Sequence, residues 1–248
     1  MKIAVTTLCW GKIKDKNEMQ TVLHEAKSIG YQGIGLEFRL LPKELIKHPH
    51  KIAIMLHETG IDNAGGYFSL REEELDVAEK SGTTLLWIVA RERDCSSAIE
   101  KIITYKKKSS EKGIDLALHN HLRTCFESEP EIVKLLEVVP DLKICLDTAH
   151  AEAAGINIIN FIKKFSNKIS LIHLKDLRAR LPKSEVRFTR DFVNVGQGII
   201  DFYEILSTLK DVGYDGYVML EFDKMEREKV KEEIKKGYSY IRDILKKI

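Results

Sequence analysis

LKICLDTAHAEAAGINIINFIKKFSNKISLIHLKD, residues 142–176, contains a strand, a helix and a second strand in that order. Apolar, β-rich runs at 142–147 and 169–174 lie on either side of an amphipathic segment at 157–166. This order is typical of a βαβ unit, in which the two strands are parallel and the helix packs on the sheet. Each run ends in a residue that can carry chemistry, Asp147 in the first and His173 in the second.

The same alternation extends along the chain in both directions, with eight apolar runs and eight helical segments. The predicted strands are residues 2–7, 33–38, 61–66, 83–89, 114–119, 142–147, 169–174 and 216–222. The predicted helices are residues 17–29, 43–59, 71–81, 95–112, 129–138, 157–166, 201–212 and 226–247. The third strand is included for its position, because Asn63, Gly65 and Gly66 disfavour extended structure.

Eight such units predict an α/β fold, a single (β/α)8 TIM barrel that occupies residues 1–248 as one domain. The alternative is an open doubly wound sheet. Against that alternative, the turn after the first strand, Leu8-Cys9-Trp10-Gly11, has no GxGxxG and no phosphate-binding GxxxxGK[ST] motif. A nucleotide cofactor is therefore not expected.

The composition argues against a nucleic-acid-binding protein and against a membrane-spanning one. The 248 residues include 40 Lys+Arg and 38 Asp+Glu, a net charge of +2, which argues against a nucleic-acid partner. No apolar run approaches the ~20 residues of a membrane span, and the N-terminus does not resemble a secretory signal, so a cytoplasmic location is expected. The four cysteines show no CxxC pair or regular spacing, and we expect them to be reduced and mostly buried.

Functional groups of a (β/α)8 barrel lie at the carboxyl ends of its strands. In this chain several strands end in acidic or imidazole side chains, and these are Glu37, His119, His121, Asp147, His150, His173, Asp176 and Glu221. Because side chains alternate along a strand, His119 and His121 face the same side and either could reach a common centre. A single histidine is more often a buried structural residue, but four of them at strand ends beside two carboxylates indicate a functional site.

The strand ends provide a mixed nitrogen and oxygen ligand set, which consists of Asp147, His173, Glu221 and one or both strand-five histidines. Such a set suits Mn²⁺, Zn²⁺, Co²⁺ or Fe²⁺ and is too rich in nitrogen to favour Ca²⁺. The sequence therefore predicts one divalent metal ion per chain. Whether His119 or His121 is the strand-five ligand remains open at this point.

Six stretches in the same order resemble the xylose-isomerase-like barrel superfamily, specifically the sugar phosphate isomerase/epimerase group that also includes inosose dehydratase and dehydroshikimate dehydratase. They are GIGLEF (33–38), LALHNH (116–121), CLDTAHAEAAG (145–155), LIHLKD (171–176), VGQGIIDF (195–202) and GYDGYVMLEF (213–222). The resemblance covers nearly the whole chain. Members are often dimers or tetramers, although no stretch of this sequence identifies an interface.

The resemblance implies a single metal held by the strand-five residue, Asp147, His173 and Glu221. It also implies that His150 and Asp176 contact the substrate or groups behind it, and that Glu37 binds a substrate hydroxyl. The isomerases and epimerases move a proton with two glutamates, one of them on strand five, where this chain has His119. The HxH pattern of His119 and His121 is more similar to the inosose dehydratase branch, and His121 matches the general base of the dehydroshikimate dehydratase branch.

The residues themselves indicate proton-transfer chemistry on a small sugar, keto-polyol or related polyhydroxy substrate. A metal that chelates a ketone and a neighbouring hydroxyl acidifies the adjacent C–H and stabilises the enediolate formed when a base removes the proton. His121 or Glu221 is the expected base, with His119 beside them as ligand or catalytic group. Isomerisation, epimerisation and dehydration all remain open as outcomes.

One further hypothesis concerns the arginines near the site. The irregular segment 178–198 carries Arg178, Arg180, Arg187 and Arg190, which either neutralise an anionic group of the substrate or are ordinary surface charges. Of these, Arg178 is the candidate substrate-binding residue.

The alternative function is an endonuclease IV-like DNA-repair enzyme with three zinc ions. Such an enzyme would need histidines at the ends of strands two and three, where this chain has Glu37 and Gly66.

Overall fold

Eight parallel strands close into a barrel in the computed structural model, which describes residues 1–92, 94–222 and 225–248. The barrel strands are β1 (Lys2–Thr6), β2 (Gly33–Glu37), β3 (Asp62–Phe68), β4 (Leu85–Ile88), β5 (Asp115–His119), β6 (Lys143–Asp147), β7 (Ile169–Leu174) and β10 (Tyr217–Leu220). Hydrogen bonds join them in the order β1-β10-β7-β6-β5-β4-β3-β2. The predicted (β/α)8 barrel is therefore confirmed, and the open sheet is wrong.

Helices connect successive strands and pack against them through one extended apolar cluster. They are α1 (Lys16–Ile29), α2 (Lys43–Lys47), α3 (His50–Thr59), α4 (Glu72–Lys80), α5 (Cys95–Glu111), α6 (Glu129–Val138), α7 (Thr148–Ala154), α8 (Ile158–Phe165), α9 (Phe188–Asp191), α10 (Phe202–Asp211) and α11 (Val230–Leu245). Three short 3-10 helices cover Thr7–Trp10, Phe38–Leu40 and Arg227–Lys229.

Two predicted elements differ from the structure for identifiable reasons. The segment 43–59 forms two helices, because Pro49 disfavours the helical conformation at His48, which has φ −130° and ψ 64°. The third strand continues to Phe68, so Tyr67 pairs with Glu37 at the carboxyl end of the neighbouring strand. Its Gly65 has a positive φ of 120°, and the pairing of β3 with β2 shifts register between Ile34 and Leu36, so the glycines accompany an irregularity within the strand and do not end it.

A second, smaller cluster of buried residues fills the inside of the barrel below the site. It consists of Ala4, Ala64, Tyr67, Trp87, Val89, Ala117, Cys145, Leu171 and Met219. Trp87 dominates this cluster, and Gly35 faces it: a Cβ at Gly35 would lie 2.5 Å from Met219 Sδ and 3.0 Å from the Trp87 ring. Glycine at this position is therefore what allows Trp87 and Met219 to pack together as the floor of the site.

The segment after β7 is more ordered than the sequence indicated. It contains a small antiparallel pair, β8 (Asp176–Leu177) and β9 (Phe192–Val193), with α9 just before β9. Arg123 ties this segment to the loop after β5, since its guanidinium donates to Val186 O at 2.6 Å and lies over the Phe188 ring. The segment is thus held over the carboxyl ends of β5 and β6.

The expectation that all four cysteines are reduced is wrong, because Cys95 and Cys125 form a disulfide. Cys95 begins α5, and Cys125 lies in the loop between β5 and α6, with Cα atoms 5.4 Å apart. Spacing alone could not show this pairing, since the two residues are 30 positions apart and meet only when β4 and β5 are neighbours. Cys9 and Cys145 are free and buried, as expected.

Among residues 1–92, 94–222 and 225–248, none of the helices combines the length and the apolar character that a membrane span requires.

Candidate metal centre and active site

Four buried side chains converge at the carboxyl ends of neighbouring strands. They are His119 at the end of β5, Asp147 at the end of β6, His173 in β7 and Glu221, the residue after β10. One ligand atom from each lies within 4.8 Å of the others. Parallel pairing explains the convergence, because Asp147 is in register with His173, and the Glu221 N–H donates to Leu174 O of the adjacent strand. We call these four residues the ligand cluster.

The hydrogen bonding of the ligand cluster is incomplete in a way that fits a metal ion. Within the described part of the chain, His119 Nδ1, Asp147 Oδ2 and both ring nitrogens of His173 are buried without a hydrogen bond of good geometry. Two of these atoms have close neighbours within the cluster, since His173 Nδ1 is 3.2 Å from Glu221 Oε2 and Asp147 Oδ2 is 3.5 Å from His119 Nε2. Leaving buried polar atoms unsatisfied costs about 1–3 kcal/mol each, so native proteins seldom do it without a ligand. Two imidazoles and two carboxylates suit a divalent transition ion, and the cluster could hold one.

His119, not His121, is the strand-five member of the ligand cluster. His121 lies beyond the end of β5, with its ring centroid 5.8 Å from that of His119. Its Nδ1 is 2.8 Å from Leu122 O, and because a carbonyl only accepts, this nitrogen carries the proton. Nε2 of His121 is then the basic nitrogen. Burial, the nearby His119 and the Arg91 charge lower the pKa of His121 to about 3, so the ring is neutral near pH 7.

Lys175 is a buried member of the site that the sequence interpretation did not single out. Its ammonium lies 2.8 Å from Glu221 Oε1 and 3.7 Å from Asp147 Oδ2. Although burial raises the pKa of both carboxyl groups, the Lys175 charge outweighs it and holds each well below its usual range. Both carboxylates are thus ionised and able to bind a cation. A lysine that follows an apolar strand by one residue, as in LIHLK, was the signal available in the sequence.

Glu37 and Arg39 form the opposite wall of the pocket beside the ligand cluster. Arg39 Nε donates to Glu37 Oε2 at 2.8 Å, and its guanidinium lies 4.8 Å from the Tyr67 ring centroid. Burial raises the pKa of Glu37 to about 7, even though Arg39 opposes the shift. Oε1 of Glu37 has no hydrogen-bond donor among the described residues. Glu37 therefore has one carboxylate oxygen that Arg39 does not engage, at the edge of the pocket.

The pocket has a volume of about 50 Å³ and is lined by residues from most of the barrel strands. These are Leu8, Glu37, Arg39, Tyr67, Trp87, Val89, Arg91, His119, His121, His150 and Glu221. Trp87 packs edge-on against His173, with ring centroids 5.0 Å apart, and so supports the ligand cluster from below. The sequence interpretation did not identify Trp87 or Arg91, because neither stands in a recognisable motif at the end of a predicted strand.

His150 lies behind His121 and is held in place on both sides. Its Nδ1 accepts a hydrogen bond from Leu122 N at 3.0 Å, and its ring centroid is 4.1 Å from that of His121. Phe188 and Phe192 pack edge-on against it from the segment after β7. Complete burial lowers the pKa of His150 well below its usual range. The structure therefore places this residue where it orients His121 and lines the pocket.

Asp147 is fixed by its place at the start of α7. Its Oδ1 accepts the His150 N–H at 2.9 Å and caps the helix, which leaves Oδ2 for the ligand cluster. Asn120 holds the backbone of Asp147 from β5, because its side chain both accepts from Asp147 N and donates to Asp147 O. Helix α7 and Asn120 were both missed in the sequence, where the alanine-rich DTAHAEAAG stretch and the end-capping Gly155 were the available signals.

Asp176 and Arg178 lie in different surroundings from those expected of substrate ligands. The Asp176 carboxylate accepts hydrogen bonds from the backbone N–H groups of Leu177, Gly196, Gly198 and Ile200. It organises the loop and does not line the pocket. Arg178 is exposed, and its Nε donates to Arg190 O at 3.1 Å. Neither side chain is directed to the ligand cluster, because backbone groups of the same segment engage both.

Comparison with known proteins agrees with this architecture. The family model described as a xylose isomerase-like TIM barrel matches residues 23–244. The inosose dehydratase of Clostridium perfringens (strain 13 / Type A) is 27% identical over 147 residues, which are 55% of this chain and 50% of that protein. The chain thus matches about half the length of these curated relatives.

Two solved structures share the fold over nearly the entire chain. The IolI protein with a bound zinc atom has a TM-score of 0.79 at 20% identity, with 100% of this chain and 99% of that chain covered. The probable 3-DHS dehydratase AsbF from Bacillus anthracis has a TM-score of 0.80 at 15% identity, with coverage of 98% and 99%. At such identities the likeness establishes the fold alone. The family match, in contrast, runs from the first helix to the last, and the chain therefore belongs to the xylose isomerase-like TIM barrel family.

Proposed function

We propose that this protein is a divalent-metal-dependent isomerase/epimerase or dehydratase that acts on a sugar, keto-polyol or related small polyhydroxy substrate. The observation that carries the proposal is the buried ligand cluster, His119, Asp147, His173 and Glu221, with unsatisfied ligand atoms beside a pocket. The names of its relatives support the substrate class and the metal, since they include inosose dehydratase and a zinc-bound IolI.

The pocket supplies a base in the required protonation state. When bound, a divalent ion would polarise a substrate carbonyl and acidify the neighbouring C–H. His121 has its proton on Nδ1 and is neutral, so Nε2 can remove that hydrogen as a proton. A positioned general base contributes roughly 10²–10⁴-fold to the rate. Glu221 is the alternative base, but it is also a member of the ligand cluster and is paired with Lys175.

Across the pocket, Glu37 is placed to accept a hydrogen bond from a substrate hydroxyl and so to orient the substrate. His119 occupies the position at which a two-glutamate proton shuttle would need a carboxylate, which makes an asymmetric histidine and glutamate arrangement the better fit. The fate of the enediolate then determines the reaction. Reprotonation gives isomerisation or epimerisation, and loss of a β-hydroxyl gives dehydration.

Solvent-deuterium exchange tests the proposal without knowledge of the product. Protein loaded with Mn²⁺ or Co²⁺ is incubated in D₂O with a panel of ketoses, inososes and 3-ketoacids, and deuterium incorporation is followed by NMR. We expect the wild type to exchange deuterium into at least one class of ketone and Glu221→Gln to lose this exchange. His57→Ala is the control and should retain it, because His57 is an exposed helix residue. Absence of exchange across the panel would contradict the proposal.

The nuclease alternative has less support from the site. Within the described residues, one group of histidine and acidic side chains offers converging ligand atoms, whereas a three-zinc centre needs several such groups. The net charge of +2 also provides little attraction for a phosphate backbone. Nicking of abasic DNA by the zinc-loaded protein would reverse this ranking.

A further inference from the structure

Arg91 is an exposed arginine at the pocket, and it stands out among the charged residues there because no described side chain pairs with its guanidinium. It follows β4 by three residues and lines the pocket with Glu37, His119 and His121. Within residues 1–92, 94–222 and 225–248, the Arg91 side chain forms neither a hydrogen bond nor an ion pair.

The other arginines around the site are already engaged. Arg39 donates to Glu37, and Arg123 holds the segment after β7 through Val186 O. Three of the loop arginines that the sequence pointed to are occupied, since Arg178 donates to Arg190 O, Arg180 pairs with Glu152 and Arg190 pairs with Asp191. The fourth, Arg187, is not among the residues that line the pocket. An anion-binding group at the pocket therefore comes from β4 and not from the loop.

None of the carboxylates at the site is paired with Arg91. Asp147 and Glu221 lie beside the Lys175 ammonium and belong to the ligand cluster, and Glu37 is paired with Arg39. Because a guanidinium keeps its charge at any physiological pH and offers two parallel N–H donors, it favours a planar carboxylate or a phosphate.

We propose that Arg91 binds an anionic group of the substrate, a carboxylate or a phosphate, while the ketone end of the same molecule lies at the ligand cluster. The substrate is then an acidic or phosphorylated keto-polyol and not a neutral one. This inference rests on the proposed function, since it assumes that the pocket binds a ketone. It assigns specificity to a residue that follows β4 and lines the pocket.

Binding measurements with a matched set of ketoses test the role of Arg91 apart from turnover. The set is D-fructose, D-fructuronate and D-fructose 6-phosphate, which differ only at the sixth carbon, titrated into Mn²⁺-loaded protein by calorimetry. In the wild type we expect at least one anion to bind on the order of 10- to 100-fold more tightly than D-fructose, the range of a charge-assisted hydrogen bond. Whichever anion gains more identifies the group as carboxylate or phosphate.

Arg91→Gln should remove this preference, so that the three ketoses bind with similar affinity, and Arg91→Lys should restore part of the preference. Arg242→Gln is the matched control, because Arg242 pairs with Asp243 near the end of α11, far from the pocket. Equal affinity for neutral and anionic ketoses, no measurable binding of either anion, or a preference that survives Arg91→Gln would each overturn the inference. Failure of the proposed function is distinguishable, since Arg91-dependent anion binding would then persist without deuterium exchange into any ketone.

Discussion

His173 makes a clear test of the ligand cluster, because its ring is completely buried and, in the described part of the chain, its nearest polar neighbour is Glu221 Oε2 of the same cluster, 3.2 Å from Nδ1. We expect His173→Ala to lower metal content from one ion per chain to less than a tenth, and deuterium exchange by at least a hundredfold. Elemental analysis after reconstitution with Mn²⁺ measures the first effect. His57→Ala, on the exposed side of α3, should retain its metal; equal loss in both variants would show that the effect is not specific to the cluster.

Glu37 should make stability depend on pH. Its pKa in the folded protein is about 7, above the ordinary value of 4.5, because burial disfavours the charged form. Between these values the folded state holds a proton that the unfolded state has lost, so the free energy of unfolding falls as the pH rises towards 7. The change amounts to about 3 kcal/mol in total.

Glu37→Gln has no carboxyl group at this position to titrate. As the pH rises from 5 to 8, its free energy of unfolding should therefore increase relative to that of the wild type. Urea unfolding of metal-free protein at both pH values measures the difference. Glu44→Gln, a change of an exposed glutamate on α2, serves as the control. A constant difference between Glu37→Gln and the wild type would mean that the buried carboxyl is ionised throughout.

At this scale the sequence predicted the members of the ligand cluster better than their surroundings; that they bind a metal stays a prediction. His119, Asp147, His173 and Glu221 could be found because each ends an apolar strand, and strand ends of a barrel meet. Lys175, Asn120 and Trp87 could not, because their contribution depends on which side chains face them across neighbouring strands. Choosing His119 over His121 likewise required the position at which β5 ends.

Among the elements, the loop after β7 depends on one carboxylate. Asp176 accepts four backbone hydrogen bonds from that loop, and Gly198 permits the approach, since a Cβ there would overlap Leu177 O and the Asp176 carboxylate. We expect Asp176→Asn to reduce the free energy of unfolding by roughly 3 kcal/mol, because charge-assisted bonds contribute about 1.5–3 kcal/mol each and an amide replaces one acceptor by a donor.

Chemical denaturation of Asp176→Asn and Asp201→Asn compares the loop anchor with an ordinary helix cap. Asp201 accepts a single cap bond from Glu204 N at the start of α10, so its substitution should cost only about 1 kcal/mol. Equal costs for the two variants would show that the Asp176 network adds little to the stability of the loop.

The disulfide joins the first residue of α5 to the loop between β5 and α6. Cys95 and Cys125 are 30 residues apart in the sequence. Closing a loop of this length lowers the entropy of the unfolded state and so stabilises the folded chain by roughly 3–4 kcal/mol. Reduction with dithiothreitol should lower the melting temperature of the wild type by several degrees. Cys95→Ser should match the reduced protein and no longer respond to dithiothreitol, whereas a response in this variant would point to another bond.

The limits of element prediction have local physical causes. Alternating apolar runs located all eight barrel strands, because burial on both faces requires them. The boundary between α2 and α3 depended on Pro49 acting on His48, and the extension of β3 to Phe68 depended on pairing with β2 and β4. The Cys95–Cys125 bond depended on strands that are neighbours only in the closed barrel.

For the whole molecule, the ligand cluster connects the strands that a barrel must hold together. Its residues lie on β5, β6 and β7 and directly after β10, which are consecutive in the strand order. An ion bound there would contact four adjacent strands in the folded state alone. Binding to the folded state alone raises the free energy of unfolding by about 2.7 kcal/mol when the free ion is at 100 times its Kd.

We therefore expect Mn²⁺ or Co²⁺ to raise the melting temperature of chelator-treated protein by roughly 5–10 °C, since about 1 kcal/mol corresponds to ~2–4 °C at this size. Scanning calorimetry over a series of metal concentrations measures the shift. Ca²⁺ should have little effect, because two of the four ligands are imidazoles. His173→Ala should respond weakly to every ion. If that variant were stabilised as much as the wild type, the ion would bind elsewhere, and the four strand ends would be held together by Lys175 and hydrogen bonds alone.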